Sequence, residues 1–157
     1  MKTIGQLKKG DLVYAVNYDL DVMFTFKLVE DPYIYSYSNH VAPLHADLVK
    51  TDNLNGEDDV FYPYPDRVDN YDAWKNINIM CDYDTSDYCT AVIFAEIPVT
   101  KTTGEGLDTK RVVLHKFTCY VSPNKSLVKK FIKEALSDIK FRANYLINVL
   151  NEKQTTL

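Results

Sequence analysis

Apolar and polar side chains alternate along residues 11–29 with the period of two that is typical of half-buried β-strands. A short polar break at residues 19–21 divides the pattern into two runs, which predicts a β-hairpin. Each run should place its apolar set on one face of a strand. These sets are Leu12, Tyr14, Val16 and Tyr18 in the first run, and Val22, Phe24, Phe26 and Leu28 in the second.

Further alternating runs predict strands at residues 33–38, 76–83, 88–99 and 111–121. Residues 43–50 are compatible either with a strand or with a single helical turn that begins at Pro43. Residues 102–106 contain two glycines and predict a flexible loop that joins the last two strands into a hairpin.

The end of the chain, residues 122–152, has the pattern of one long amphipathic helix. Ser122 suits the N-cap, Pro123 suits the first helical position, and residues 154–157 should fray. Apolar residues recur at intervals of three and four: Val128, Phe131, Ile132, Ala135, Leu136, Ile139, Ala143, Leu146, Ile147 and Leu150. Such a stripe must be buried against the sheet or a partner. We expect Phe131 and Ile139 to be buried against the sheet.

These elements fit a single α+β domain over residues 1–157, since a chain of this length fits one hydrophobic core. Residues 1–121 should be mostly β-structure, with an acidic loop region at 52–75, and residues 122–152 should form the helix. The predicted architecture is a bent antiparallel sheet, or a partly open small β-barrel, with the long C-terminal helix packed on it.

The beginning and the end of the chain resemble known small proteins. Leu7, Gly10, Asp11, Val13 and Tyr14 have the spacing found at the opening of small SH3-like barrels, where such a run leads into the first strand. The strand near residue 120 and the lysine-rich helix after it resemble small proteins encoded by phages or mobile elements of gut bacteria. This resemblance implies a phage-type protein in the cytoplasm of a bacterial host.

Charge is distributed unevenly along the chain. Residues 52–88 contain ten acidic and two basic side chains, a net charge of −8. Residues 101–153 contain eleven basic and five acidic side chains, a net charge of +6. The overall charge of −4 therefore combines an acidic middle with a basic end. This asymmetry bears on partners and association rates rather than on the fold.

The acidic middle predicts a recognition surface. Pro63 and Pro65 prevent strand pairing there, and long loops in compact domains are usually functional or disordered. Carboxylates alternate with aromatic rings, so the charges would guide a basic partner and the rings would supply contact area. Alternatively, the rings simply fold back on the sheet. The predicted partner-binding residues are Asp58, Asp59, Tyr62, Tyr64, Asp69, Tyr71, Asp72 and Trp74.

We therefore predict a non-enzymatic protein that binds a host protein with a basic surface. The most specific form of this prediction is that a DNA-mimicking face of the protein inhibits a nucleic-acid-processing or host-defence enzyme. The alternative is a small-ligand or nucleotide-binding barrel whose pocket is lined by Tyr14, Phe24, Tyr35 and Tyr37. A third reading is nucleic-acid binding through the basic helix, although a pI near 5.3 argues against it.

No catalytic motif accompanies these features, so we expect neither an enzyme, nor a metal, nor a cofactor. His40, His45 and His115 lack the additional spaced ligands that a zinc site requires. The three cysteines should be free, buried thiols. The first ten residues lack the apolar core of a signal peptide, and no apolar stretch reaches the length of a membrane helix. A reduced cytoplasmic setting is expected.

Overall fold

A computed structural model describes residues 2–32, 43–54, 74–81, 86–104 and 106–156. A short 3-10 helix, Ile4–Gln6, precedes the sheet. The strands and the helix are β1 (Leu12–Asn17), β2 (Val22–Leu28), β3 (Leu44–Asn53), β4 (Ile77–Met80), β5 (Cys89–Thr103), β6 (Gly106–Ser122) and α1 (Lys125–Thr156). The predicted strand at residues 33–38 lies outside the described residues. Residues 43–50 belong to a strand and not to a helical turn.

The six strands form one antiparallel sheet that closes in a ring. Each strand pairs with its neighbour in the sequence, and β1 also pairs with β6, so that Ala15 lies between Phe24 and Val121. The helix α1 packs on the outer surface of β1 and β6. The predicted α+β fold, a bent antiparallel sheet with one long C-terminal helix packed on it, is confirmed.

The hairpin of β5 and β6 is longer than the sequence pattern predicts. Pairing continues to Thr103 and Gly106. Gly106 has a φ of 124°, which side chains other than hydrogen rarely allow. Among the described residues, the pairing of β5 with β4 ends at Phe94, and the pairing of β6 with β1 begins at Cys119. The outer part of the hairpin is therefore a two-stranded ribbon beyond the ring.

The interior of the ring is filled by side chains from all six strands. Phe24 lies at its centre, with ring centroids 5.8 Å from Phe26, 6.3 Å from Trp74 and 5.5 Å from Phe117. Val13 and Ala15 also face this core and are fully buried. Cys81, Cys89 and Cys119 are buried in it as well, as the sequence predicts. Burial also raises the pKa of the Cys119 thiol.

A second apolar cluster lies between the ring and the helix. Val16, Leu20 and Met23 contribute the sheet side of this cluster, and the fully buried Val128 contributes the helix side. Tyr14, Tyr120, Phe131, Ile132 and Ala135 are partly buried around it. Both faces of β1 are therefore covered, because Val13 and Ala15 face the interior while Tyr14 and Val16 face the helix.

The helix begins two residues later than its predicted first position and continues further than predicted. Ser122 ends β6, and its hydroxyl accepts a hydrogen bond of 2.9 Å from the Asn124 N–H instead of capping a helix at Pro123. Helical structure continues to Thr156, beyond the predicted end at residue 152. Phe131 is partly buried against the sheet, but Ile139 is 55% exposed, so the prediction that Ile139 is buried is wrong.

Candidate functional site

Most residues of the predicted partner-binding surface lie outside the described part of the chain. These residues are Asp58, Asp59, Tyr62, Tyr64, Asp69, Tyr71 and Asp72. The eighth, Trp74, is only 4% exposed and belongs to the core, where its ring stacks on Phe24. This burial corrects the assignment of Trp74 to an exposed recognition surface, because a partner has little access to its ring.

Two of the four residues proposed for the alternative ligand pocket lie on opposite faces of the sheet. Phe24 pairs with Ala15 and faces the interior, whereas Tyr14 pairs with Thr25 and faces the helix. The sheet therefore separates the Tyr14 and Phe24 rings. Lys125 Nζ lies 5.8 Å from the centroid of Tyr14, which places a cation over that ring. Tyr35 and Tyr37 lie outside the described residues.

An open groove of about 520 Å³ lies beside the line along which α1 crosses the sheet. We call it the tyrosine groove. It is lined by Tyr18 after β1, by Asp87, Tyr88 and Thr90 around the start of β5, by Tyr120 of β6, and by Leu127, Lys130, Phe131 and Glu134 of α1. Strand ends and the first turns of one helix thus meet at a single concave surface.

Local structure explains how the sheet residues reach this groove. Cys119 and Val121 face the core, so Tyr120 between them must face outward. Tyr120 pairs with Thr90 of β5 in the sheet, which brings the start of β5 to the same surface. The Ser122 hydroxyl also donates a hydrogen bond to the Asp87 carbonyl oxygen, which connects the segment before β5 to the end of β6.

Tyr18 is positioned by the turn between β1 and β2. The Asn17 side-chain oxygen accepts hydrogen bonds from the N–H groups of Asp21 at 3.0 Å and Val22 at 3.2 Å. Leu20 has a φ of 57°, a left-handed conformation that turns the chain and places its side chain in the cluster under the helix. The Tyr18 hydroxyl is 2.8 Å from the Thr90 hydroxyl oxygen, which joins the turn to β5.

Four aromatic rings form a connected series along the groove. The ring of Tyr120 stacks on Phe131 with centroids 4.2 Å apart and on Tyr88 with centroids 5.3 Å apart. Tyr18 meets Phe131 edge-on at 5.9 Å. Tyr18 and Tyr88 are about half exposed, at 48% and 52%. The inner rings therefore hold the outer two in place while leaving them accessible to solvent.

Carboxylates flank this series of rings. Asp87 and Glu134 line the groove, and Lys130 lies 4.0 Å from Glu134 in an exposed pair that contributes little stability. Burial raises the pKa of Tyr120, and Tyr88, Asp87 and Glu134 raise it further by electrostatic repulsion of a phenolate. Two of the groups that raise this pKa, Asp87 and Glu134, are carboxylates, so negative charge lies close to the Tyr120 ring.

This arrangement is suited to binding a cation. Half-exposed aromatic faces attract ammonium and guanidinium groups, and nearby carboxylates supply the opposite charge. The groove lining contains no cysteine, histidine or serine. In the described part of the chain, no group of three or more histidine, cysteine or acidic side chains could hold a metal ion.

Sequence reasoning did not single out this groove. Its rings belong to segments that are far apart in the chain, and Tyr120 and Tyr88 are ordinary residues for strands. The available signal was the adjacency of Asp87 and Tyr88 before a strand, together with Phe131 and Glu134 one turn apart on a helix. Only the ring closure of the sheet brings these pairs together.

Comparison with models of protein families, with curated proteins and with solved structures finds no match for this chain. Of the helices in the described residues, none combines the length and apolar character needed to cross a membrane. The fold and the groove define a small α+β protein in which a helix and a closed antiparallel sheet share an aromatic, acid-flanked surface.

Proposed function

We propose that the protein is a non-enzymatic binding protein that recognises a basic segment of a partner protein through the tyrosine groove. The observation that carries this proposal is the half-exposed Tyr88 ring, which stacks on Tyr120 in a groove that Asp87 and Glu134 also line. A lysine or arginine side chain entering the groove would meet aromatic faces and opposite charge together.

The resemblance to phage-encoded proteins supports a more specific form of the proposal. The partner would be a host protein with a basic surface, such as a nucleic-acid-processing or defence enzyme. Residues 52–75 carry a net negative charge, and they would guide such a partner toward the groove by long-range attraction. In this form the acidic segment sets the rate of encounter and the groove supplies short-range contacts.

The proposal is tested by calorimetric titration of the protein with tetra-arginine and tetra-lysine peptides. We expect both peptides to bind and tetra-glutamate not to bind. Tyr88→Ala should weaken binding about two- to fivefold, since a cation–π contact at an exposed site contributes roughly 0.5–1 kcal/mol. Asp87→Asn should also weaken binding, because it removes a negative charge from the groove lining. The Tyr88 and Tyr120 ring resonances should shift during the titration.

Two matched control variants separate the groove from the rest of the surface. Phe141→Ala removes a ring that is 71% exposed on the helix outside the groove, and Glu152→Gln removes an exposed carboxylate. Both variants should bind the cationic peptides as tightly as the unchanged protein. If Tyr88→Ala and Asp87→Asn also leave the affinity unchanged, the groove is not the cation site and the proposal fails.

A further inference from the structure

The second half of α1 extends beyond the surface of the sheet with large apolar side chains in solvent. Only Val128, Phe131, Ile132 and Ala135 from the first part of the helix join the cluster against the sheet. Beyond them, more than half of each large apolar side chain on the helix face is exposed: Leu136 52%, Ile139 55%, Leu146 59%, Ile147 54% and Leu150 59%. Most helical stability in proteins comes from packing of an apolar face, so an exposed face of this kind favours a covering partner.

The spacing of these side chains indicates that another helix covers them. Apolar residues alternate between intervals of four and three through Ile132, Leu136, Ile139, Ala143, Leu146 and Leu150. This repeat of 3.5 residues is the spacing of a helix-to-helix seam, in which side chains of one helix fill the spaces of another. The opposite side of the helix carries Ser137, Asn144, Asn148 and Asn151, together with the exposed rings of Phe141 and Tyr145.

We infer that residues 136–153 of α1 pair with the same segment of a second copy of this chain, in antiparallel orientation. The orientation follows from the position of the sheet. Val128, Ile132 and Ala135 use the same helix face to contact the sheet that Ile139 and Leu146 present further along. In a parallel pair, the first turns of one helix would occupy the space of the other copy's sheet. The antiparallel pair avoids this overlap.

One alignment satisfies both the apolar seam and the charges. When Ala143 lies opposite Leu146 of the second copy, Ile139 lies opposite Leu150, and each contact occurs twice by symmetry. The flanking positions then bring Lys140 against Ile147 and Arg142 against Val149 of the second copy. Like charges do not face each other, and the long cationic side chains cover apolar surface. The paired segment ends at Lys153, which lies opposite Leu136, the first position after the residues of the other copy that pack on its sheet.

The overlap in this alignment covers 18 residues, or about 27 Å of helix at 1.5 Å per residue. A single helix pair of that length is small compared with the roughly 800 Å² per partner of a standard interface. The dimer should therefore dissociate on dilution. This inference does not depend on the tyrosine groove, whose residues precede position 136.

Light scattering after size-exclusion chromatography tests the inference. Over a roughly hundredfold range of concentration, the mass should rise from that of one 18.1 kDa chain toward twice that value. Leu146→Glu places a charge in the seam and should abolish this rise. Asn148→Glu adds the same charge on the opposite side of the helix and should leave it intact. A mass that stays monomeric throughout, or equal association of both variants, would overturn the inference.

Disulfide cross-linking tests the orientation. Ile139→Cys and Leu150→Cys variants, oxidised as a mixture, should form a linked heterodimer, because these positions face each other only in the antiparallel pair. Leu150→Cys oxidised alone should remain unlinked. The native thiols are all at most 5% exposed, so the new cysteines should react first. A linked homodimer of Leu150→Cys would contradict the antiparallel arrangement.

Discussion

Phe131 connects the helix to the closed sheet through its ring. It stacks on Tyr120 at 4.2 Å, meets Tyr18 edge-on at 5.9 Å, and also forms part of the wall of the tyrosine groove. Ile139 lies two turns further along α1, where 55% of its side chain is exposed. Both residues belong to the same apolar repeat, but only Phe131 packs against the sheet.

Alanine substitutions should therefore have unequal effects at these two positions. Phe131→Ala should lower the free energy of unfolding by about 1–4 kcal/mol, because it removes the ring that stacks on Tyr120 and leaves a gap there. Ile139→Ala should change it by less than about 1 kcal/mol, the range of surface substitutions. Urea denaturation, at a concentration where the chain is monomeric, measures both values. Similar losses for the two variants would mean that another part of the same chain covers Ile139.

At the residue scale, the alternation of apolar and polar side chains predicts which residues are shielded from solvent. It does not predict whether a shielded residue contacts the helix or the interior of the ring. The sequence places Tyr14 and Phe24 on apolar faces, and both are indeed shielded from solvent. One faces the helix and the other the interior, because β1 is covered on both sides. When both faces of a strand are covered, a period of two does not indicate which face contacts the helix and which contacts the interior. Tyr14 and Phe24 therefore do not line one pocket together.

The junction between β6 and α1 depends on one serine. Ser122 is fully buried, donates its hydroxyl hydrogen to the Asp87 carbonyl oxygen and accepts a hydrogen bond from the Asn124 N–H. These two bonds connect the end of β6, the start of the helix and the segment that carries Asp87 and Tyr88 into the groove. The sequence identified Ser122 as a capping residue, and its side chain does bind the backbone at this junction, although the helix begins only at Lys125.

Ser122→Ala should lower the free energy of unfolding by about 1–3 kcal/mol, because it leaves a partly buried carbonyl and a partly buried N–H without this partner. It should also weaken tetra-arginine binding, since Asp87 loses a contact that fixes its backbone. Thr118→Ala is a matched control on an exposed position of the same strand. Thermal unfolding and calorimetry measure the two effects. Unchanged stability of Ser122→Ala would show that water replaces the hydroxyl at no cost.

For the whole molecule, charge and the groove should act on different steps of binding. Asp58, Asp59, Asp69 and Asp72 belong to the region of net negative charge, and the groove contributes Tyr88. Long-range charge mainly changes the association rate, whereas a ring in direct contact mainly changes the dissociation rate. The two contributions can therefore be separated kinetically.

Changing those four aspartates to asparagine should slow association with an arginine-rich peptide and reduce its dependence on salt. Screening acts beyond about 8 Å at physiological ionic strength, so the unchanged protein should also associate more slowly as salt rises. Tyr88→Ala should instead accelerate dissociation. Stopped-flow mixing measures both rates. If the association rate responds to neither salt nor the four substitutions, the acidic segment does not take part in binding and serves only to keep the protein soluble.

Local patterns predicted most of the fold at this scale, including five of the strand regions and the long helix. They could not predict ring closure, because the pairing of β1 with β6 depends on long-range packing. They also could not predict where α1 leaves the sheet. The apolar repeat continues unchanged from Val128 to Leu150, while the sheet beneath it ends near Ala135. The sequence of a helix does not indicate how far the sheet beneath it extends.

The pairing of β1 with β6 also determines the order in which the chain can fold. Tyr14 pairs with Ser122, 108 residues later, so the ring can close only after nearly the entire sheet has been synthesised. The hairpin of β1 and β2 can form early, but β1 keeps an open edge until β6 arrives. Structures that rely on such distant contacts fold more slowly than helical domains of equal size. Docking of the helix should be the final step, because the helix packs on both β1 and β6.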